Sequence, residues 1–187
     1  CHAMGVHVTD PSVKAIIDIG GQDVKGISID TDGTVKNFAM NDKCAAGTGR
    51  FFEAMARSFE LSLPEFSKLS LTAKNVIPIT AQCTVFAESE VISLIGRGEK
   101  RENIAFAVVD SIVKKVGSQA GRMAVQGDVC LTGGLCDSPY FLEILSQKTN
   151  RTVTTHPMAR YAGALGAAAG ASPPTFSTST SYSFPFT

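Results

Sequence analysis

Two cysteines each stand immediately before a run with helical character. One is Cys44, in Asn41-Asp42-Lys43-Cys44-Ala45-Ala46-Gly47-Thr48-Gly49-Arg50, and the other is Cys83, in Ala81-Gln82-Cys83-Thr84-Val85-Phe86-Ala87-Glu88-Ser89-Glu90. A helix N-terminus offers unpaired N–H groups and a partial positive charge, which lower a thiol's pKa and favour a thiolate-ligated, anionic cluster. Two thiolates are half of what an iron–sulfur cluster usually takes, so a second copy of the chain would have to bring the other two. A free cysteine is also a common small core residue. No Cys-x-x-Cys pair is present, and His2, His7 and His156 are not spaced with cysteines as in a zinc finger. What distinguishes Cys44 and Cys83 is their shared local design, cysteine then small or hydroxyl residues then an amphipathic helix.

A second group of residues suits phosphate. Asp18-Ile19-Gly20-Gly21-Gln22-Asp23-Val24-Lys25 lies between two strand-like runs, where glycines let backbone approach a ligand and carboxylates can hold water or magnesium. The same pattern makes an ordinary hairpin. Gly133-Gly134 follows an apolar strand and precedes a helix, a place where α/β folds bind nucleotides. No Gly-x-x-x-x-Gly-Lys-Ser/Thr loop occurs, which disfavours a P-loop enzyme. Gly47-Thr48-Gly49 is better read as a helix entry than as a dinucleotide loop.

The elements that must hold these residues follow from periodicity. Three strands, 14–19, 24–30 and 34–40, are joined by turns at Gly20-Gly21 and Thr31-Asp32-Gly33 into an antiparallel meander. Phe51, Phe52, Met55 and Phe59 fall at helical spacing, a short helix covers Pro64 to Leu69, and Val76 to Thr80 is extended. A helix from Thr84 to Gly96 or Gly98 and a longer one from about Glu102 to Met123 follow, the latter with Ile104, Val108, Ile112 and Val116 on one face. Then come a strand at 128–132, a helix at 139–147, a strand at 152–155 and a helix from about Ala159 to Ala171. Strands alternating with helices after a meander predict an α/β fold, a sheet with helical cover.

With 187 residues and 44% hydrophobic content, the chain can bury one ample core. Its 17 basic and 17 acidic residues leave no electrostatic footprint for nucleic acid or an anionic membrane, so neither is expected as a partner. Five cysteines without disulfide-like spacing fit a reducing cytoplasm. The longest small-apolar run, 162–171, is too short and Gly-rich to span a bilayer. Residues 172–187 hold five Ser, four Thr, three Pro and no charge, and are expected to form a disordered tail.

With the meander, both glycine pairs and both cysteines in view, the chain resembles the activator proteins of 2-hydroxyacyl-CoA dehydratases and the related ATPase subunits of benzoyl-CoA reductases. The resemblance rests on Asp18-Ile19-Gly20-Gly21-Gln22-Asp23, on the Cys44 and Cys83 segments quoted above, and on Gly163-Ala164-Leu165-Gly166-Ala167-Ala168, and it covers residues 1 to about 171. It implies an actin-like, ribonuclease H-like ATPase lobe at 14–171, a mixed sheet with cluster-binding helices inserted at about 44–97. It implies a homodimer sharing one [4Fe-4S] cluster through Cys44 and Cys83 of each copy, with Cys1, Cys130 and Cys136 outside the ligand set. ATP or ADP with magnesium would sit on Gly20, Gly21, Gln22 and Asp23 and on Gly133 and Gly134. Asp18 would partner magnesium or water and Gln22 would position water. Hydrolysis would then drive one electron into a dehydratase or reductase component.

The chain departs from that family in three places. The family's N-terminal lobe, with its own phosphate turn, is not seen, and residues 1–13 resemble the inter-lobe segment. Ser138 stands where an Asn usually follows the second glycine pair, and the tail has no counterpart. Two rival functions remain open on the residues alone: a sugar or amino-sugar kinase of the same superfamily, and a truncated module that binds nucleotide or cluster without hydrolysis.

Overall fold

The structure is a computed structural model, and it describes residues 1–41, 47–80, 83–121 and 127–171. Its sheet has five strands: β1 (Ala15–Ile19), β2 (Val24–Ile29), β3 (Val35–Asn41), β4 (Val129–Gly133) and β5 (Val153–Thr154). They lie in the order β3-β2-β1-β4-β5, with β1 antiparallel to β2 and parallel to β4. The meander expected over 14–40 is therefore present, and its first strand doubles as the centre of the mixed sheet.

Every residue of β1 is buried. That follows from its place between β2 and β4 with helices on both faces, which a nearly continuous apolar run, Ala-Ile-Ile-Asp-Ile, satisfies. Strand β3 lies on the edge, and most of its residues are exposed.

One face carries the larger core. Helices α2 (Gly49–Ser58), α3 (Leu63–Ser70), α4 (Thr84–Gly96), α5 (Arg101–Gly121) and α6 (Pro139–Thr149) supply it. The α5 stripe of Ile104, Val108, Ile112 and Val116 is at most 1% exposed, as its spacing of four predicts. Phe52 meets Phe66 and Phe141 edge-on, with centroids 5.4 and 5.2 Å apart, and so ties α2 to α3 and α6. Each such pair contributes roughly 0.5–1.5 kcal/mol beyond its buried area. Helix α3 starts on a capping box: the Ser62 hydroxyl accepts from the Glu65 N–H, and the Glu65 carboxylate accepts from the Ser62 N–H.

The opposite face is covered by α1 (His2–Thr9) and α7 (Ala162–Gly170), the latter preceded by a 3-10 turn at Ala159–Tyr161. The sequence reading assigned no element to residues 2–9. Helix α1 forms because glycines let it lie directly on α7. A Cβ on Gly5 would sit 1.8 Å from the Ala162 carbonyl oxygen, and one on Gly166 would sit 1.7 Å from the Cys1 carbonyl oxygen. The segment 76–80, expected to be extended, has no ladder partner among the described residues. No described helix is long and apolar enough to cross a membrane.

Candidate functional site

Strands β1 and β4 run parallel with Asp18 opposite Thr132 and Ile19 opposite Gly133, so both strands end side by side. This register brings Gly20-Gly21 against Gly133-Gly134, although 111 residues lie between the two pairs. The Gly134 N–H donates to the Ile19 carbonyl at 3.2 Å, and the Gly20 N–H donates to the Asp23 carbonyl at 2.9 Å, closing the first turn. Gly133 has φ +89°, and a Cβ there would lie 2.2 Å from the Ile19 carbonyl oxygen. Only glycine fits both its dihedral and the close approach. The crevice outside the carboxyl ends of adjacent parallel strands is where open α/β sheets take their ligands.

Asp18 lies beneath this crevice, 4% exposed at the end of the central strand. The Thr132 hydroxyl donates to its Oδ1 at 2.7 Å, the Lys25 ammonium lies 3.2 Å from Oδ2, and His2 Nε2 lies 3.5 Å from Oδ1. Lys25 also pairs with Asp23 at 2.6 Å, bridging the two carboxylates. Burial works to lower the pKa of Lys25, and the Asp23 and Asp18 carboxylates outweigh it, leaving the ammonium's pKa raised. Gln22 and Gly21 are exposed at the turn, and Asp23 is half-buried. The carboxylate pair, with Asp18 buried beneath the turn and Asp23 half-buried beside it, is chemically suited to a hydrated divalent cation beside phosphate oxygens.

Beyond Gly134 opens a cleft of about 480 Å³, within the range of small-ligand sites. Phe52, Leu63, Leu135 and Tyr140 give it an apolar lining, and Lys68, Asp137, Ser138 and Arg160 supply polar groups. Arg160 pairs with Asp137 at 2.6 Å. An apolar slot continuous with a glycine turn suits a nucleoside joined to phosphates. Cys136, at the same turn, is fully buried, and burial pushes its thiol pKa up. Cys130, in β4, is pushed up to about 11 for the same reason. Both are neutral thiols packed in the interior.

Cys83 is different in kind. It is exposed, occupies the N-cap of α4 in extended conformation, and its carbonyl accepts the Ala87 N–H at 2.8 Å. Ala87 and Val91 bury one side of α4, while Val85, Phe86, Ile92 and Ile95 are 67%, 68%, 61% and 46% exposed. Cys44 lies outside the described residues, within 42–46. The helix that follows it is tied to the first glycine turn: the Gly49 and Arg50 N–H groups donate to the Gly20 and Gly21 carbonyls at 2.8 and 2.9 Å. Among the described residues no three His, Cys, Asp or Glu side chains converge as a metal site. The donor chemistry of an exposed thiol at a helix N-terminus nevertheless fits one corner of an iron–sulfur cluster.

The structure thus brings Asp18, Gly20, Gly21, Gln22 and Asp23 together with Gly133 and Gly134, and sets Cys83 apart on α4. Sequence reasoning missed Thr132, Lys25 and His2. Thr132 had a signal, as the one hydroxyl in an apolar strand directly before the glycine pair. Lys25 could have been found from the hairpin register, which places it opposite Asp18. His2 reaches the site through the packing of α1, which no local pattern announces.

A mixed sheet of this order, with glycine turns on its two adjacent parallel strands, is the fold of an actin-like ATPase lobe, and solved activator structures share it. The chain belongs to the BadF/BadG/BcrA/BcrD ATPase family, which it matches over residues 1–171. The activator of lactoyl-CoA dehydratase from Anaerotignum propionicum is 44% identical over 168 residues, covering 90% of this chain and 65% of the relative. The activator of the 2-hydroxyisocaproyl-CoA dehydratase from Clostridium difficile, solved with bound ADPNP, superposes with a TM-score of 0.83 at 41% identity, over 90% of this chain and 63% of that one. Component A of the (R)-2-hydroxyglutaryl-CoA dehydratase from Acidaminococcus fermentans gives 0.84 at 42% identity, over 90% and 64%. The chain therefore spans just under two thirds of these relatives. Xylulose kinase from Bifidobacterium adolescentis, at 17% identity and a TM-score of 0.56, shares the fold alone.

Proposed function

We propose that this chain is the nucleotide- and cluster-bearing part of an ATP-dependent activator that donates single electrons to a 2-hydroxyacyl-CoA dehydratase or benzoyl-CoA reductase type of partner. The observation that carries this reading is the pair of hydrogen bonds from Gly49 and Arg50 to the Gly20 and Gly21 carbonyls. They join the candidate phosphate turn to the helix that begins five residues after Cys44. A change in the turn's geometry when phosphates bind or leave is thereby passed to a segment carrying a candidate ligand, the physical link that ATP-driven electron transfer requires.

In this reading the Gly20 and Gly21 backbone approaches the phosphates, Asp18 and Asp23 hold magnesium or water, Gln22 positions the attacking water, and Gly133-Gly134 with the adjoining cleft takes the nucleoside. Cys44 and Cys83 bind a [4Fe-4S] cluster together with the same two residues of a second copy. When bound, the cluster supplies a low-potential electron. The apolar residues that α4 exposes beside Cys83, Val85 and Phe86 in particular, support a second copy as the neighbour there. The relatives' activator names support the partner class. Nothing specific favours the kinase reading, since the kinase likeness is one of fold.

The test is anaerobic reconstitution with iron and sulfide, followed by iron analysis and native mass. The expected result is a brown dimer with about four irons per two chains, and binding of an ATP analogue that requires magnesium. A colourless monomer, or a full cluster on each single chain, overturns the reading.

A further inference from the structure

We infer that Glu90 is a positioning residue for Cys83. This rests on the cluster reading proposed above and adds to it a role for a residue outside the ligand set. Glu90 lies in the second turn of α4, seven residues after Cys83. Its two carboxylate oxygens accept the Thr80 N–H at 3.1 and 3.0 Å, and one of them also accepts the Thr80 hydroxyl at 3.1 Å. Thr80 is itself exposed and belongs to a segment without ladder partners among the described residues; Ile77 and Ile79 pack that segment against the core, and this carboxylate adds a polar hold on the chain as it returns to α4.

The geometry gives the hold its consequence. Three residues of chain reach at most about 10 Å, and six or seven residues of helix rise about the same distance. A Glu side chain on a helix points back toward the N-terminus. With Thr80 fastened to the second turn of α4, Cys83 at the helix start lies within three residues' reach of a fixed point on its own helix, in addition to the hydrogen bond its carbonyl accepts from the Ala87 N–H. The Asn103 side chain does the same one step earlier, its Oδ1 accepting the Lys74 and Asn75 N–H groups at 3.2 and 3.1 Å. A cluster shared between two copies needs its thiolates at defined separations, so loosening this anchor should make the cluster labile before it unfolds anything.

The experiment compares the full chain with Glu90→Ala, Glu90→Gln, Thr80→Val and the Glu90→Ala/Thr80→Val double variant. Two readouts are taken: hydrogen exchange in the metal-free chain, and the rate at which a strong ferrous chelator strips iron from the reduced, reconstituted chain. Faster exchange over 80–88 with iron loss at least fivefold faster is expected in Glu90→Ala and in Thr80→Val, no worse in the double variant because both remove one contact, and smaller in Glu90→Gln. Faster exchange with unchanged iron loss overturns the inference, because the contact is then structural only. Unchanged exchange overturns it too. A parent chain that takes up no cluster overturns the proposed function, and this inference with it.

Discussion

The Thr132 hydroxyl donates to Asp18 Oδ1 at 2.7 Å, and the two residues are direct register partners across the parallel β1 and β4 strands. Because Thr132 is fully buried and Asp18 nearly so, the carboxylate's orientation is set by the sheet rather than by solvent.

That orientation matters most if Asp18 works on the attacking water or magnesium. In a protein carrying both lobes, Asp18→Asn should lower the hydrolysis rate far more than nucleotide affinity, since such a group acts chiefly in the transition state. Thr132→Val should show the same split more weakly and cost about 1 kcal/mol of stability for the lost hydrogen bond. Steady-state kinetics beside calorimetric binding distinguish this from a carboxylate that merely finishes a strand, for which both quantities fall together.

The two glycines of the second turn should behave very differently. Gly133→Ala places a methyl 2.2 Å from the Ile19 carbonyl oxygen at φ +89° and should destabilise the chain by more than about 2 kcal/mol in urea titration. Gly134 has nothing within 4 Å of a Cβ, and Gly134→Ala should stay within about 0.5 kcal/mol of the parent. Similar losses would mean that the β1–β4 seam is not packed as described.

Much of this scaffold is legible in the residues. The meander announces itself through Gly20-Gly21 and Thr31-Asp32-Gly33 between β-prone runs, and α5 through its spacing of four. Helix α1 does not, because its stability comes from the close approach of Gly5 and Gly166, a contact between residues 161 positions apart that no window of sequence contains. The glycine pairs can each be picked out as turns, but their adjacency exists only once β4 pairs parallel to β1. The charged cluster around Asp18 is assembled from α1, β2 and β4, and only its Lys25 and Thr132 leave a trace in local pattern. The candidate Cys44 lies outside the described residues, whereas Cys83 is exposed at the helix start expected for it.

Alkaline titration should reveal the Lys25 bridge. Its pKa is raised in the folded chain, so it favours folding fully below the unfolded value of about 10.5 and loses that contribution as pH rises through the folded value. The stability difference between the parent and Lys25→Met should therefore be flat from about pH 7 to 9 and shrink above about 10.5. A difference that persists unchanged at the alkaline end would place the effect of Lys25 in packing rather than in charge.

Hydrolysis by this chain on its own should be slight. Phosphoryl transfer needs the phosphates held and their charge neutralised from every side, and in the function proposed above the two glycine turns would hold them from one side, in a chain that spans just under two thirds of its activator relatives. Turnover by the purified chain at a rate typical of an intact ATPase, about 1 per second or more, would show that these turns suffice.

The cysteines should sort by environment. Cys44→Ser or Cys83→Ser should each abolish the iron–sulfur chromophore and weaken dimerisation. If each chain offers two thiolates, a four-thiolate cluster closes only across a two-fold axis, so one substitution removes two ligands of four. Cys130→Ser and Cys136→Ser should keep both chromophore and dimer. Each buries a hydroxyl in place of a neutral thiol that burial has already pushed away from ionisation, to about 11 for Cys130, and so costs about 1–3 kcal/mol of stability without touching a ligand. Urea titration together with iron analysis of all four variants checks the pattern. A reconstituted Cys83→Ser chain that keeps a full four-iron signal as a dimer would remove Cys83 from the ligand set, and with it the reason α4 presents that thiol to solvent.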